Sequence, residues 1–233
     1  APGAGKTTLR LKLIDANSNL PTAEDSTDGI DIETLFFDLP QLSDNNRFRI
    51  NIWDFGGQEL YHSTHQFFFT RRSLYILVLN TRRDDDRIDY WLHTLAIFGG
   101  DSPIIILQNQ ERDRSYPLNE QRYRAQYPNI KEFIAVNLSQ AHEIPKLLHK
   151  IKYHIQELSH IGQEIPAQWM EVRQELTKQS KNSPYIDYED FVEICSNFGI
   201  EEEHKIAILS SYLHDLGAIL HFTDNRILKK IIF

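Results

Sequence analysis

Apolar positions recur at helical spacing near the start of the chain, where Leu9, Leu13 and Ile14 mark a helix over 6–14. A stretch rich in Ser, Asn, Asp and Thr follows over 15–28, which predicts an exposed loop. Two strand patterns come next, 30–38 and 47–54. In the second, Phe48, Ile50 and Ile52 alternate with Arg49, Asn51 and Trp53, so the pair reads as a hairpin at a sheet edge. Residues 74–79, 104–107 and 133–136 are short continuous apolar runs, the signature of strands covered on both faces. Helical patterns at 88–98 and 118–126 separate them, and strand alternating with helix predicts a parallel α/β sheet.

A further helix is predicted over 144–159. Gly162 and Pro166 then break the pattern and divide the chain into a first domain, 1–162, and a second, 163–233. The second shows helical patterns at 169–179, 188–198 and 201–213. Two apolar runs follow, 218–222 and 227–233, split by the turn-forming set Thr223, Asp224, Asn225 and Arg226. Three helices followed by a hairpin predict a smaller α+β domain of winged-helix type.

Composition narrows the function classes. The chain carries 25 Lys+Arg against 33 Asp+Glu, a formal charge of −8, and so lacks a broad basic surface for nucleic acid. The winged-helix-like segment is itself acidic, which favours a protein-interaction module over a DNA-binding one. Cys195 has no partner for an internal disulfide and sits among Phe191, Val192, Ile194 and Phe198, a core thiol suited to a reducing compartment; cytoplasm is the expectation. No apolar run approaches the roughly 18 residues of a membrane span and no apolar leader opens the chain, so no membrane signal is read.

The chemistry lies in three short segments. Gly3-Ala4-Gly5-Lys6-Thr7-Thr8 fits the end of G-x-x-x-x-G-K-[ST], whose leading glycine would fall one position before the chain begins. The backbone at the start of the following helix cradles phosphates, Lys6 neutralises β/γ oxygens, and Thr7 offers a hydroxyl to Mg²⁺. Asp54-Phe55-Gly56-Gly57-Gln58-Glu59 closes a strand, where α/β sheets present their ligands. There Asp54 serves the Mg²⁺ shell, Gly57 gives an amide to the γ-phosphate, and Gln58 orients the attacking water. Between the two segments, Thr27 is expected to reach both Mg²⁺ and γ-phosphate. His62 and His65, three apart, invite a metal reading, but packing is the expectation because no further ligand completes a set. Arg71, Arg72, Arg82 and Arg83 are weighed as an arginine finger against a solvated surface run, which is favoured.

With these segments placed, the chain resembles the Roc GTPase domain of the Roco family followed by its COR domain. The specific residues are 53–59 (Trp-Asp-Phe-Gly-Gly-Gln-Glu), the run from Tyr61 to Tyr75 with its His-Gln-Phe-Phe segment, and Tyr90-Trp91-Leu92. The resemblance implies a Ras-like P-loop fold, GTP hydrolysis to GDP with Mg²⁺, leucine-rich repeats before the domain, and homodimer contacts through COR. It also implies a central strand immediately before Lys6. Base recognition departs from the usual Asn-Lys-x-Asp: the chain reads Asn109-Gln110-Glu111-Arg112-Asp113. Either the loop shifts so that Asp113 reaches the base, or guanine is read less well. The later loop, 136–139, offers backbone amides for a guanine carbonyl.

Overall fold

The computed structural model describes residues 3–22, 27–38, 47–57, 65, 68–80, 87–110 and 117–233. Two compact units emerge, Ala1–Phe69 with Ser73–Ile161, and Gly162–Phe233 with Thr70–Arg72.

In the first unit, α1 (Lys6–Ile14) precedes the antiparallel hairpin β1 (Ile30–Asp38) and β2 (Arg47–Phe55), which pair from Ile30↔Phe55 to Asp38↔Arg47. A separate parallel sheet runs in the order β3 (Tyr75–Asn80), β4 (Ile104–Asn109), β5 (Ile130–Val136). The helices α2 (Ile88–Phe98), α3 (Glu120–Gln126) and α4 (Ile144–Gln156) complete it. Strand β4 lies at the centre of this sheet, and its side chains divide between two cores. Ile105 and Leu107 pack with Leu9 of α1 and with Leu147 and Ile151 of α4. Ile104 and Ile106 pack with Leu92 and Leu95 of α2 and with Tyr123. All four β4 residues are fully buried, as an uninterrupted apolar run between two helical layers requires.

Local chemistry moves two boundaries. Helix α3 starts at Glu120 rather than 118 because the Asn119 side chain accepts a hydrogen bond from the Arg122 amide at 3.0 Å and caps it. Strand β5 starts at Ile130, three residues before the apolar run, and is not covered on both faces as that run predicts: Ile130, Ile134 and Val136 are buried while Lys131 and Ala135 are exposed, the alternation of a strand at the end of its sheet. At the C-terminal side of α1, the buried Lys12 turns its ammonium onto the carbonyls of Ala16 (2.9 Å) and Ser18 (2.6 Å), binding the start of the polar loop to the helix.

The second unit packs α5 (Ala167–Gln179), α6 (Tyr188–Asn197) and α7 (Glu203–Asp215) around Val172, Phe191, Cys195, Leu209 and Leu213. Burial pushes the Cys195 thiol up to about 11, so it stays protonated and unreactive. The expected hairpin of 218–222 with 227–233 is reduced to one pair: Leu220 and Phe233 exchange both backbone hydrogen bonds, at 2.8 and 3.0 Å. Leu228–Lys230 forms a 3₁₀ turn instead, and β7 (Ile231–Ile232) pairs antiparallel with β6 (Ile186–Asp187). At two residues β6 is too short to show any period, so its pairing is visible only in three dimensions.

Beside this pairing, the Nδ1 of the buried His221 lies 2.5 Å from the Ser210 hydroxyl and its Nε2 lies 2.9 Å from the Lys229 carbonyl, while its backbone amide donates to His214 Nδ1. Burial holds His214 below the ordinary imidazole value, outweighing the opposing Asp215, and His221 adds to the depression. The unfolded chain therefore binds the proton more readily, and folding stability falls as pH drops below the unfolded value of 6.5 toward the depressed folded one. Between about pH 7.5 and pH 5 the melting temperature should fall more for the wild type than for His214→Gln, which calorimetry would read.

Candidate functional site

Lys6, Thr7 and Thr8 form the first turn of α1, and Gly5 precedes them at φ 99°. Gly5, at the N-cap, has no side chain with which to cap the helix, an arrangement that suits a helix N-terminus receiving a phosphate. Gly5 is required on two counts. Its backbone is left-handed, and a Cβ there would stand 2.5 Å from Asn109 Nδ2 and 3.3 Å from Leu138 Cδ1.

Two asparagines at the ends of neighbouring strands hold the loop. Asn80 of β3 and Asn109 of β4 are register partners. Asn80 Nδ2 donates to the Gly3 carbonyl at 3.2 Å, and Asn109 Nδ2 donates to the Ala4 carbonyl at 3.3 Å. Asn109 Oδ1 also accepts from the Leu138 amide at 3.3 Å, tying the 136–139 loop to the phosphate loop. Asn109, expected at the base, is thus a buried brace in this structure. Asn80 was not anticipated from sequence, where it closes an apolar run without any motif. The amides of residues 137–139 differ from expectation too: Asn137 donates to Glu143, Leu138 to Asn109 and Ser139 to the Asn137 side chain. None of the three is left over for a guanine carbonyl.

Facing the loop, three oxygens converge from separate elements. Thr7 Oγ1 lies 2.9 Å from Thr27 Oγ1, and Thr27 Oγ1 donates to Asp54 Oδ2 at 3.2 Å. Thr27 and Asp54 are buried, and Asp54 Oδ1, with almost no exposure, has no hydrogen-bond partner among the described residues. An orphaned buried carboxylate oxygen beside two hydroxyls is an all-oxygen donor set, the chemistry that suits Mg²⁺. Gly56 permits the approach: its amide donates to the Gly29 carbonyl at 2.8 Å, and a Cβ on it would meet the Thr27 carbonyl at 2.5 Å. Gly57 comes next in the chain, two residues after the end of β2.

Gln58 and Asp113 lie outside the described residues, as do His62, Arg82 and Arg83. His65 is buried at the hydrophobic layer, its ring edge-on to Phe55 at 5.0 Å and stacked near Trp91 at 6.1 Å, in keeping with packing rather than metal binding. Among the described residues no group of three or more His, Cys, Asp or Glu could hold a metal ion. Arg72 belongs with the second unit, its guanidinium 4.7 Å from the Tyr212 ring centroid and its Nε 4.0 Å from Asp215. No described helix is long and apolar enough to cross a membrane.

A helix N-terminus behind a glycine loop, with an aspartate from a neighbouring strand end and two threonines, defines a P-loop nucleotide-binding α/β domain joined to a small helical one. Comparison with known proteins makes this more specific. Residues 1–112 match the Roc ("Ras of Complex") domain family and residues 166–233 the COR-A ("C-terminal of Roc") domain family. The structure superposes on the Methanosarcina barkeri Roco2 RocCORdC structure bound to GDP with a TM-score of 0.87 and 34% identity, covering 99% of this chain and 69% of that one. A Roc-COR-CHAT protease of Runella zeae is 32% identical over 97% of the chain, and the Dictyostelium discoideum probable serine/threonine-protein kinase pats1 is 29% identical over 98%. The chain spans 26% and 8% of those two proteins' lengths. The chain belongs to the Roco family, with a Ras-like Roc domain followed by COR-A.

Proposed function

We propose that this chain binds guanine nucleotide with Mg²⁺ and hydrolyses GTP to GDP and phosphate, with the nucleotide state passed to its COR part. The observation that carries the reading is the convergence of Thr7, Thr27 and Asp54 beside the Gly5–Lys6 helix start. The GDP bound by the Methanosarcina relative supports the choice of nucleotide. Lys6 holds the β/γ oxygens, while Gly3, Ala4, Gly5 and Thr8 shape and line the cradle. Thr7, Thr27 and Asp54 would hold Mg²⁺, which supplies positive charge to the phosphates. Gly57 donates its amide to the terminal phosphate, and Gln58 orients water for in-line attack. Asp113 pairs with the guanine edge, while Asn109 positions the loops around it. Chemistry of this kind is chiefly positioning and electrostatics. The domain boundary is proposed at 162/163, and assembly through COR into a homodimer belongs to the same reading.

Titration of labelled GDP and GTP in the presence of Mg²⁺, with ATP as competitor, tests the binding half. Displacement by GTP and not by ATP is the expected result; equal displacement by ATP would remove the guanine assignment. Single-turnover hydrolysis tests the rest. Gln58→Leu should slow the chemical step by about tenfold or more while leaving the GTP dissociation constant within about twofold. Equal losses in both, or none, would reject the role given to Gln58.

A further inference from the structure

The hairpin places two carboxylates of like charge opposite one another, since Asp31 of β1 and Asp54 of β2 are register partners. Such a pair is destabilising unless a cation separates it. Arg10, one turn into α1, supplies that cation. Its Nη2 lies 3.2 Å from Asp31, its Nη1 3.5 Å from Glu33 and its Nε 3.4 Å from Asp54 Oδ2. The Arg10 side chain is 15% exposed and that of Asp54 is 2% exposed, whereas Asp31 and Glu33 are about half exposed. The closest pairing in energetic terms is therefore the buried one, where solvent screens least.

We infer that Arg10 is a resident cation competing with Mg²⁺ for Asp54, and so a positioning residue that sets how tightly the site holds its metal. This rests on the nucleotide and metal reading given above. The oxygen that Arg10 faces, Oδ2, is the one that accepts the Thr27 hydroxyl, so the guanidinium charge bears on the acceptor at the end of the Thr7–Thr27–Asp54 chain. The Nε is buried and makes no hydrogen bond among the described residues, so at 3.4 Å its influence on Asp54 is through charge. A divalent ion entering beside Asp54 meets a carboxylate already partly neutralised and a positive charge within a few ångströms. Both raise the Mg²⁺ concentration needed for occupancy. Asp31 and Glu33 moderate the effect by drawing the same guanidinium outward.

A purely structural clamp predicts something different. If Arg10 only held β1 to α1, its removal would loosen the site and weaken Mg²⁺ binding together with nucleotide binding.

The test is the release rate of fluorescently labelled GDP from the full protein as a function of Mg²⁺ concentration, with EDTA as the metal-free baseline. Arg10→Gln should move the half-effective Mg²⁺ concentration down by about tenfold, with the EDTA baseline changed less than about twofold. The double variant Asp31→Asn/Glu33→Gln, which keeps Arg10 and removes its outer partners, should move it upward. It also provides the reading should Arg10→Gln fail to fold. An unchanged or raised half-effective concentration in Arg10→Gln, or a lowered one in the double variant, would overturn the inference. Wild-type protein that binds GDP with release indifferent to Mg²⁺ would remove the metal reading and this inference with it. Absence of GDP binding would remove the proposed function first.

Discussion

Asn109→Ala is expected to lower the melting temperature by roughly 8–16 °C and to weaken GDP binding by about a hundredfold. The variant deletes one buried side chain and leaves two backbone groups without partners, the Ala4 carbonyl and the Leu138 amide. Each buried unsatisfied group costs about 1–3 kcal/mol, so about 4 kcal/mol in all is a fair expectation. At about 2–4 °C per kcal/mol for a unit of this size, the stated shift follows. The affinity loss has a separate origin, because Asn109 and its register partner Asn80 present the Gly3–Ala4 backbone to the ligand. Asn109→Asp sharpens the test: it keeps an acceptor for Leu138 but turns a second oxygen toward the Ala4 carbonyl, so it should be at least as damaging as alanine. Calorimetry and GDP titration on the same samples check both effects. A fall in affinity without a fall in stability would mean that Asn109 meets the nucleotide directly, as a base contact would.

Gly5→Ala should produce the second large effect, a combined loss of about 3 kcal/mol divided between folding and binding. An L-residue at φ 99° carries strain of about 1–2 kcal/mol. The added methyl also stands 2.5 Å from Asn109 Nδ2, so either the loop or the brace must give. If the loop relaxes to negative φ in the free protein, stability is little changed and the penalty appears when nucleotide demands the cradle. GDP affinity then falls by about a hundredfold. If the loop holds, the melting temperature falls instead by roughly 6–12 °C. Denaturation with and without saturating GDP separates the two; a variant with neither loss would show that the left-handed turn is dispensable. Gly56→Ala offers a comparison, since its Cβ would strike the Thr27 carbonyl, a backbone atom less able to move than an amide side chain.

The success of pattern reading is uneven for physical reasons. Continuous apolar runs mark β3 and β4 because a strand covered on both faces needs apolar side chains at successive positions, as Ile104 to Leu107 show by dividing between two cores, whereas the run in β5 marks the strand but not its cover, since Ala135 is exposed. Helices α2, α4, α6 and α7 were legible from their period, and the core position of Cys195 from its neighbours. Boundaries set by a single polar contact, such as the Asn119 cap, were not. The final strand is shorter than the run 227–233 predicts, because Leu228–Lys230 turns as a 3₁₀ helix; Phe233 still bonds to Leu220, while Ile231–Ile232 pair with a strand from the other side of α6. In the site, the phosphate-loop residues and Asp54 announce themselves because a helix start and a strand end each carry a compact motif. Arg10 and Asn80 carry none, being an ordinary surface-helix residue and an ordinary strand end until something is packed against them.

The element types, the glycine–lysine–threonine helix start and the aspartate near the end of β2 follow from local pattern, since each depends on neighbours within one turn or one strand. Which distant groups meet is set by packing. Thr27 joins Thr7 and Asp54 across separations of 20 and 27 residues, the two asparagines of a parallel pair share one loop, and Arg10 stands between opposed carboxylates. The reason is strand register. Sliding β1 by one residue along β2 would turn its side chains to the other face of the hairpin, removing Asp31 from Arg10 while leaving every local motif in the sequence unchanged.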